Sequence, residues 1–194
     1  YSGHPFTPYR ATIRGFAKKN LADIKPADHK QWVGGFVTGV RTIMGRRGKM
    51  AIVIVEDETQ KLEVVVAGSS YEQHQHLLKT DQVLLFECKV ARDEYNGGGG
   101  VRINSDSIYD FDGARSAFAR SLCLTMTPNT DVVKLSALLG SSRGQGYVGL
   151  KVSYEHPEVS AELKPKSPWQ IGIDSALLKQ LGELLGQDAV KVVW

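Results

Sequence analysis

The order of predicted strands and helices between residues 32 and 111 constrains the fold more than any other feature of the sequence. Three β-rich segments come first, one helix follows, and two further strands complete the series. These segments are Trp32–Ile43, Lys49–Val55, Leu62–Ala67, a helix with a Ser69/Glu72 capping box, Gln82–Ala91 and Val101–Phe111. A five-stranded Greek-key barrel with its helix between strands 3 and 4, the OB-fold, has this order, whereas an SH3-like barrel has no place for the helix.

Two groups of glycines support this all-β assignment. The first segment contains Gly34, Gly35 and Gly39, which predict a long strand that bends or bulges, because strand 1 of such a barrel serves both sheets. The loop between the last two strands, residues 92–100, ends in Asn96 and four consecutive glycines. Such a run is typical of a hairpin tip.

The flanking sequences predict two further parts of the chain. Residues 1–31 contain three prolines and a short helix around Pro8–Phe16, and we interpret them as a lead-in or linker from a preceding domain, since the chain begins with Tyr1 rather than Met. Residues 112–194 predict a small α+β domain with two helices on one face of a sheet.

The elements predicted for that second domain begin with a spacer at Asp112–Arg120. Its strands are Leu122–Met126, Tyr147–Tyr154, Val159–Leu163, Trp169–Ile173 and Val190–Trp194. Its first helix is capped by Asn129 or Thr130 and ends at Gly140, with an apolar face formed by Val132, Val133, Leu135, Leu138 and Leu139. Its second helix is capped by Asp174 and ends at Gly186.

The sequence excludes several functions. No apolar run approaches the ~20 residues that a membrane-spanning helix needs. Cys88 and Cys123 are too far apart for a CxxC zinc site and favour a reducing, cytoplasmic location. Residues 144–149 match GxGxxG but precede a strand instead of a helix, so we interpret them as a flexible loop. The acidic residues 56–58 lie in a predicted hairpin turn, where carboxylates are usually solvated. We therefore predict no catalytic residue, metal site or cofactor in this segment.

Positive charge is concentrated near the start of the chain. Residues 1–50 carry ten Lys and Arg against two Asp, whereas the remaining residues carry 14 basic and 19 acidic side chains, so the formal net charge of +3 hides a basic first quarter. Such a region is typical of a surface that binds polyanions, although an ordinary solvated surface can also be basic.

The first interstrand loop is the most basic part of this region. In an OB-fold, this loop and the loop between strands 4 and 5 flank the ligand groove. Cations that follow phosphates, together with aromatic rings that stack on bases, form the usual surface for single strands. The predicted nucleic-acid-binding residues are Arg41, Arg46, Arg47, Lys49, Arg92, Tyr95, Arg102 and, as a second aromatic ring, Phe36.

Several sequence blocks resemble the alpha subunits of bacterial DNA polymerase III, the family C replicative polymerases. They are Tyr-Ser-Gly-His-Pro at residues 1–5, Thr-Gly-Val-Arg at 38–41, Arg-Arg-Gly-Lys at 46–49, Val-Glu-Asp at 55–57 and Leu-Glu-Val-Val-Val at 62–66. The resemblance covers nearly the whole chain and is most specific in the second and third blocks.

This resemblance implies a C-terminal fragment in which an OB domain at residues 32–111 precedes a domain, residues 112–194, that docks the tau subunit of the clamp loader. The polymerase aspartates and their Mg²⁺ belong to a palm domain upstream in this family. The parent protein is thus expected to be a DNA-directed DNA polymerase, and this segment a binding module for single-stranded DNA and tau.

Other functions stay open at this point. One is the anticodon-binding OB domain of a class II aminoacyl-tRNA synthetase, although residues 112–194 lack Arg-rich class II motifs; another is an OB module that binds only protein. Gln187, Val190 and Val192 loosely match the Gln-x-x-Leu-x-Phe pattern of sliding-clamp ligands and predict at most weak clamp binding. The alternative is a terminal strand whose valines complete the core.

Overall fold

The computed structural model describes residues 3–45, 48–93, 100–163 and 169–194. The chain divides into two compact units, Tyr1–Phe111 and Asp112–Trp194. None of the helices in these described ranges is long and apolar enough to cross a membrane.

The first unit is a five-stranded barrel with the strand order β1-β2-β3-β5-β4. β3 and β5 run parallel, the other paired strands run antiparallel, and β4 pairs with β1. The strands are β1 (Ala27–Gly45), β2 (Gly48–Glu56), β3 (Lys61–Ala67), β4 (Val83–Asp93) and β5 (Gly100–Asp110). The helices are α1 (Arg10–Phe16) and α2 (Ser69–His74), with 3₁₀ turns at Thr7–Tyr9, Leu21–Asp23 and Gln75–Leu77.

The glycines of β1 let one strand serve two neighbours. Residues 27–36 pair with β4 and residues 36–45 with β2, and the register shifts between Val37 and Gly39, as the glycine pattern predicts. A Cβ atom on Gly34 would lie 2.6 Å from Cγ2 of Ile13, so this glycine lets α1 pack directly against the strand. The residues that fill the barrel alternate along each strand and include Val33, Val37, Val53, Val55, Val64, Val66, Leu84, Phe86, Cys88 and Ile103.

The segment before residue 32 packs into the first unit. Phe6, Ile13 and Ala17 are buried, and Leu21 and Ile24 belong to the same core as the strands. β1 begins at Ala27 rather than at the predicted Trp32, because pairing with β4 extends that far. The predicted origin of this segment in a preceding domain stays a prediction.

Asp57 joins this segment to the β2–β3 turn. One carboxylate oxygen accepts hydrogen bonds from the Arg14 guanidinium at 2.7 Å and from the Leu21 amide at 2.9 Å. The other accepts from the Thr59 amide and hydroxyl and from the Gln60 amide, at 2.6–3.0 Å. The prediction of solvated carboxylates in this turn is therefore wrong for Asp57, whose side chain is 1% exposed.

The second unit is an open sheet with helices packed on one side. The sheet has the order β10-β6-β7-β8, and β9 pairs with the first part of β7. Its core combines β6 and β7 with Leu135 and Leu139 of α4 and Leu177 and Leu181 of α5. The elements are α3 (Phe111–Phe118), β6 (Ser121–Met126), α4 (Val132–Ser142), β7 (Arg143–His156), β8 (Val159–Leu163), β9 (Gln170–Ile171), α5 (Ser175–Leu185), a 3₁₀ turn at Gln187–Ala189 and β10 (Val190–Val193).

Three local predictions for the second unit need correction. The predicted spacer after residue 111 is the helix α3. The Ser116 hydroxyl donates a hydrogen bond to the Ile173 carbonyl, and the Asp112 carboxylate accepts one from the Ser175 amide, so both ends of these bonds lie beside the start of α5. Asp131, not Asn129 or Thr130, caps α4 by accepting a hydrogen bond from the Lys134 amide at 3.0 Å. The GxGxxG segment begins strand β7 instead of forming a loop. The predicted cap at Asp174 is confirmed, since its carboxylate accepts from the Leu177 amide at 2.7 Å.

The helix between strands 3 and 4 is present but begins differently from the prediction. Gly68, with φ of 59°, precedes α2, and no side chain caps this helix. The Glu72 amide instead donates to the Gly68 carbonyl, so the predicted Ser69/Glu72 capping box is wrong. Glycine tolerates this left-handed conformation without the steric cost that a side chain would add.

Candidate nucleic-acid interface

The β1–β2 hairpin carries the predicted basic loop. Gly45 pairs with Gly48, and Gly48 has φ of 110°, a conformation that favours glycine. Arg41 and Lys49 are exposed on the two arms, whereas Arg46 and Arg47 lie outside the described residues. The hairpin also presents Met44, which is 74% exposed. Charge clustering alone does not reveal this apolar side chain.

Strand register assembles one continuous outer face on β1, β2 and β3. Directly paired residues of antiparallel strands point to the same side, so Arg41, Ile52 and Val65 form one row. The register shift between Val37 and Gly39 changes the alternation of side chains along β1. Phe36, which pairs with Glu56, therefore lies on the same side as Arg41. The OB-fold uses this face, with its flanking loops, to bind oligonucleotides and oligosaccharides.

The structure places a carboxylate beside Arg41 on this face. Oε2 of Glu63 on β3 lies 3.8 Å from a guanidinium nitrogen of Arg41 on β1, and the two side chains are 57% and 62% exposed. Glu63 lies opposite Ile54 of the intervening β2. Sequence inspection does not identify this pair, because it depends on the register of three strands.

The remaining predicted cations lie on the β4–β5 ribbon. Arg92 pairs with Val101, and Arg102 pairs with Ala91, so the two exposed side chains lie on opposite faces of the ribbon. Arg102 directly precedes Ile103, which points into the core and pairs with Val64. Alternation therefore places Arg102 on the same outer side as Glu63. Tyr95 lies outside the described residues.

The outer face of β1, β4 and β5 has a different charge pattern. Lys30 lies 3.0 Å from Glu87 and 3.2 Å from Asp106, and the hydrogen bonds that it donates to these two carboxylates raise the pKa of the Lys30 ammonium. Trp32 and Tyr109 pack together on this face with ring centroids 6.0 Å apart. Balanced charge makes this face a poorer surface for a polyanion than the β1–β2 hairpin.

The residues of the predicted clamp motif lie at the end of the second unit. Val190 and Val192 belong to β10, pair with Leu124 and Leu122, and pack against the core. The Gln187 side chain covers Gly182, where an added Cβ would lie 2.6 Å from Nε2 of Gln187. Clamp binding by these residues stays a prediction. No cluster of three or more His, Cys, Asp or Glu side chains that could hold a metal ion occurs in the described ranges.

Comparison with known proteins extends over the entire chain. The chain is 40% identical over 195 residues to a DNA polymerase III subunit alpha of Neisseria meningitidis serogroup A. The aligned region covers 100% of this chain and 17% of that subunit. The corresponding subunit of Pseudomonas fluorescens is 29% identical and covers 97% of this chain and 16% of its own length. The chain thus spans about a sixth of the length of the curated relatives that it matches. These matches confirm the resemblance predicted from the sequence blocks.

A second comparison concerns the first unit. Residues 31–111 match the tRNA_anti-codon family, described as an OB-fold nucleic acid binding domain, which confirms the OB-fold. Among solved structures, a replication protein A heterotrimer bound to single-stranded DNA covers 70% of this chain and 31% of its own, at 14% identity and a TM-score of 0.39. This similarity is too low to support an argument about function.

Proposed function

We propose that this chain is a non-catalytic module from the C-terminal region of a bacterial DNA polymerase III alpha subunit. The first unit binds the single-stranded DNA template, and the second docks the clamp-loader tau subunit. The parent protein carries out DNA-templated synthesis in the cytoplasm with Mg²⁺ held in its upstream palm domain. The observation that carries this proposal is similarity to such subunits along the entire chain.

The surface proposed to bind DNA is the β1–β2 hairpin with the outer face of β1–β3. Lysine and arginine side chains displace counterions from phosphates, which supplies affinity without base specificity. The exposed Arg41 and Lys49, together with neighbouring Arg46 and Arg47, offer that chemistry. The half-buried Ile52 and Val65 form an aliphatic floor, so we expect weak, sequence-tolerant binding in which Tyr95 and Phe36 supply the stacking.

Protein docking is assigned to the second unit. Its outer surfaces expose several large apolar side chains, among them Val133 at 82% and Tyr147 at 87%. Apolar residues exposed on a surface are common at protein interfaces. Weak binding of the sliding clamp through Gln187, Val190 and Val192 is retained as a secondary proposal. The two roles are tested separately on the same chain by binding of labelled single-stranded DNA and by co-elution with purified tau.

Glu63 is expected to compete with a DNA phosphate for Arg41. The Glu63→Gln substitution should raise single-stranded DNA affinity up to about fivefold, because an exposed ion pair is worth at most about 1 kcal/mol. Fluorescence anisotropy with a labelled oligonucleotide measures the change.

The matched control is Glu72→Gln, which removes the same charge from an exposed position on α2. Affinity should change less than twofold in that variant. An equal gain in both variants would mean that net charge, not the Arg41–Glu63 pair, limits binding.

A further inference from the structure

The end of the β1–β2 hairpin extends beyond the barrel of the first unit. Ala51 belongs to the barrel core and pairs with Thr42, which is already exposed. Alternation places Met44 and Lys49, the next pair on this inner side, beyond the core, and both side chains are exposed. The inner side of the hairpin is therefore open to solvent from the Met44–Lys49 pair onwards.

The two methionines of this hairpin are packed differently. Met50 lies on the outer side and is half-buried, and its methyl group would lie 3.1 Å from a Cβ atom on Gly45. Gly45 thus leaves room for Met50 to pack against the hairpin backbone. Met44 lies on the inner side and is 74% exposed, so most of its side chain is available to a ligand.

Lys49 places a cation directly beside Met44. Paired residues of antiparallel strands have Cβ atoms about 5 Å apart on one side, so the thioether and the ammonium leave the hairpin together. No carboxylate of the described residues forms an ion pair with Lys49, whereas Arg41 on the outer side has Glu63 at 3.8 Å. A single nucleic-acid strand offers a partner to each group, because anionic phosphates alternate along it with the apolar faces of its bases.

We propose that Met44 inserts between neighbouring bases of a bound single strand while Lys49 contacts an adjacent phosphate. The inference rests on the proposed binding of single-stranded DNA and adds a base contact on the inner side of the hairpin. Apolar side chains, methionine among them, act as wedges between base steps in nucleic-acid complexes. Insertion requires the bases to unstack, which costs less in a single strand than in a duplex. The contact therefore favours single strands over duplexes without selecting a sequence.

The test measures binding of the whole chain to a labelled mixed-sequence oligonucleotide by fluorescence anisotropy. Met44→Ala should weaken binding by about fivefold, because it removes most of the apolar surface that a base would cover. Met44→Leu keeps that bulk and should bind within about twofold of the parent chain. The slope of log K against log salt should be unchanged in Met44→Ala, whereas Lys49→Ala should reduce its magnitude by about 0.7.

Two controls separate a base contact from a general effect on the hairpin. Val159→Ala truncates a 59% exposed side chain on the β7–β8 hairpin, where Glu155 and Glu158 repel phosphates, and should leave affinity within about twofold of the parent. An abasic strand of the same length retains the phosphates and lacks the bases. The parent chain should bind this strand more weakly, and Met44→Ala should weaken that binding no further.

Thermal melts show whether each variant is folded. Parent-like affinity of Met44→Ala, or equal weakening of its binding to the normal and the abasic strand, would overturn the base contact and leave binding through the hairpin cations intact. A parent chain that does not bind single-stranded DNA would overturn the proposed function, and the base contact with it.

Discussion

Replacing Asp57 by asparagine is expected to lower the free energy of unfolding by about 3 kcal/mol, because breaking a buried ion pair leaves its partner uncompensated. Arg14 would lose its carboxylate partner at 2.7 Å, and the hydrogen bonds that join the N-terminal segment to the β2–β3 turn would weaken. Urea unfolding at neutral pH, followed by circular dichroism, measures the decrease.

Acid titration provides a second readout of the same residue. Burial raises the pKa of Asp57, but hydrogen bonds from Thr59, Leu21 and Gln60 outweigh burial and lower the pKa from 3.8 to about 2. Because the folded-state pKa is depressed, Asp57 contributes its full stability above pH 3.8 and loses it as the pH falls to about 2. The asparagine variant should lack this contribution to acid sensitivity.

Glu58→Gln is the control for Asp57→Asn, because Glu58 lies next to it and forms the more exposed ion pair with Arg10. We expect the free energy of unfolding to fall by less than about 1 kcal/mol there. A decrease in Asp57→Asn no larger than in the control would contradict the assigned role of Asp57.

The combined variant Arg46→Ala, Arg47→Ala and Lys49→Ala should weaken single-stranded DNA binding by about a hundredfold near 0.1 M salt. Each phosphate that a cation neutralises contributes about −0.7 to the slope of log K against log salt. Losing three such contacts therefore removes about two decades of affinity at 0.1 M salt, relative to 1 M salt. The weakening should be similar for different DNA sequences, because phosphate contacts carry no base information.

The control for the triple variant removes three cations from the second unit, through Lys134→Ala, Lys151→Ala and Lys179→Ala. The net charge changes by the same amount, yet affinity should stay within about threefold of the parent chain. Equal weakening in the two variants would show that overall charge, not the β1–β2 hairpin, attracts DNA.

Local patterns were sufficient to predict most strands and one helix cap. The continuous apolar run at Lys49–Val55 and the segment Leu62–Ala67 correspond to β2 and β3, and Asp174 lies directly before an apolar helical stripe. The bulge in the glycine-containing first strand was also predicted, whereas the close approach of Ile13 to Gly34 was not.

Long-range pairings could not be predicted in the same way. Asp57 is buried because Arg14, 43 residues earlier, returns to it, and no local signal near Asp57 indicates that contact. The Arg41–Glu63 pair likewise depends on the register of three strands. The helix α3 after residue 111 forms hydrogen bonds to Ile173 and Ser175 at the start of α5, more than fifty positions away in the sequence.

The most direct test of the central claim compares labelled single-stranded and duplex DNA of the same length in a salt titration of the parent chain. If the hairpin neutralises two to four phosphates, log K for the single strand should fall with log salt at a slope of about −1.4 to −2.8, and the duplex should bind more weakly at every salt concentration. Absence of saturable binding at low salt, or a single-strand slope near zero, would contradict the account.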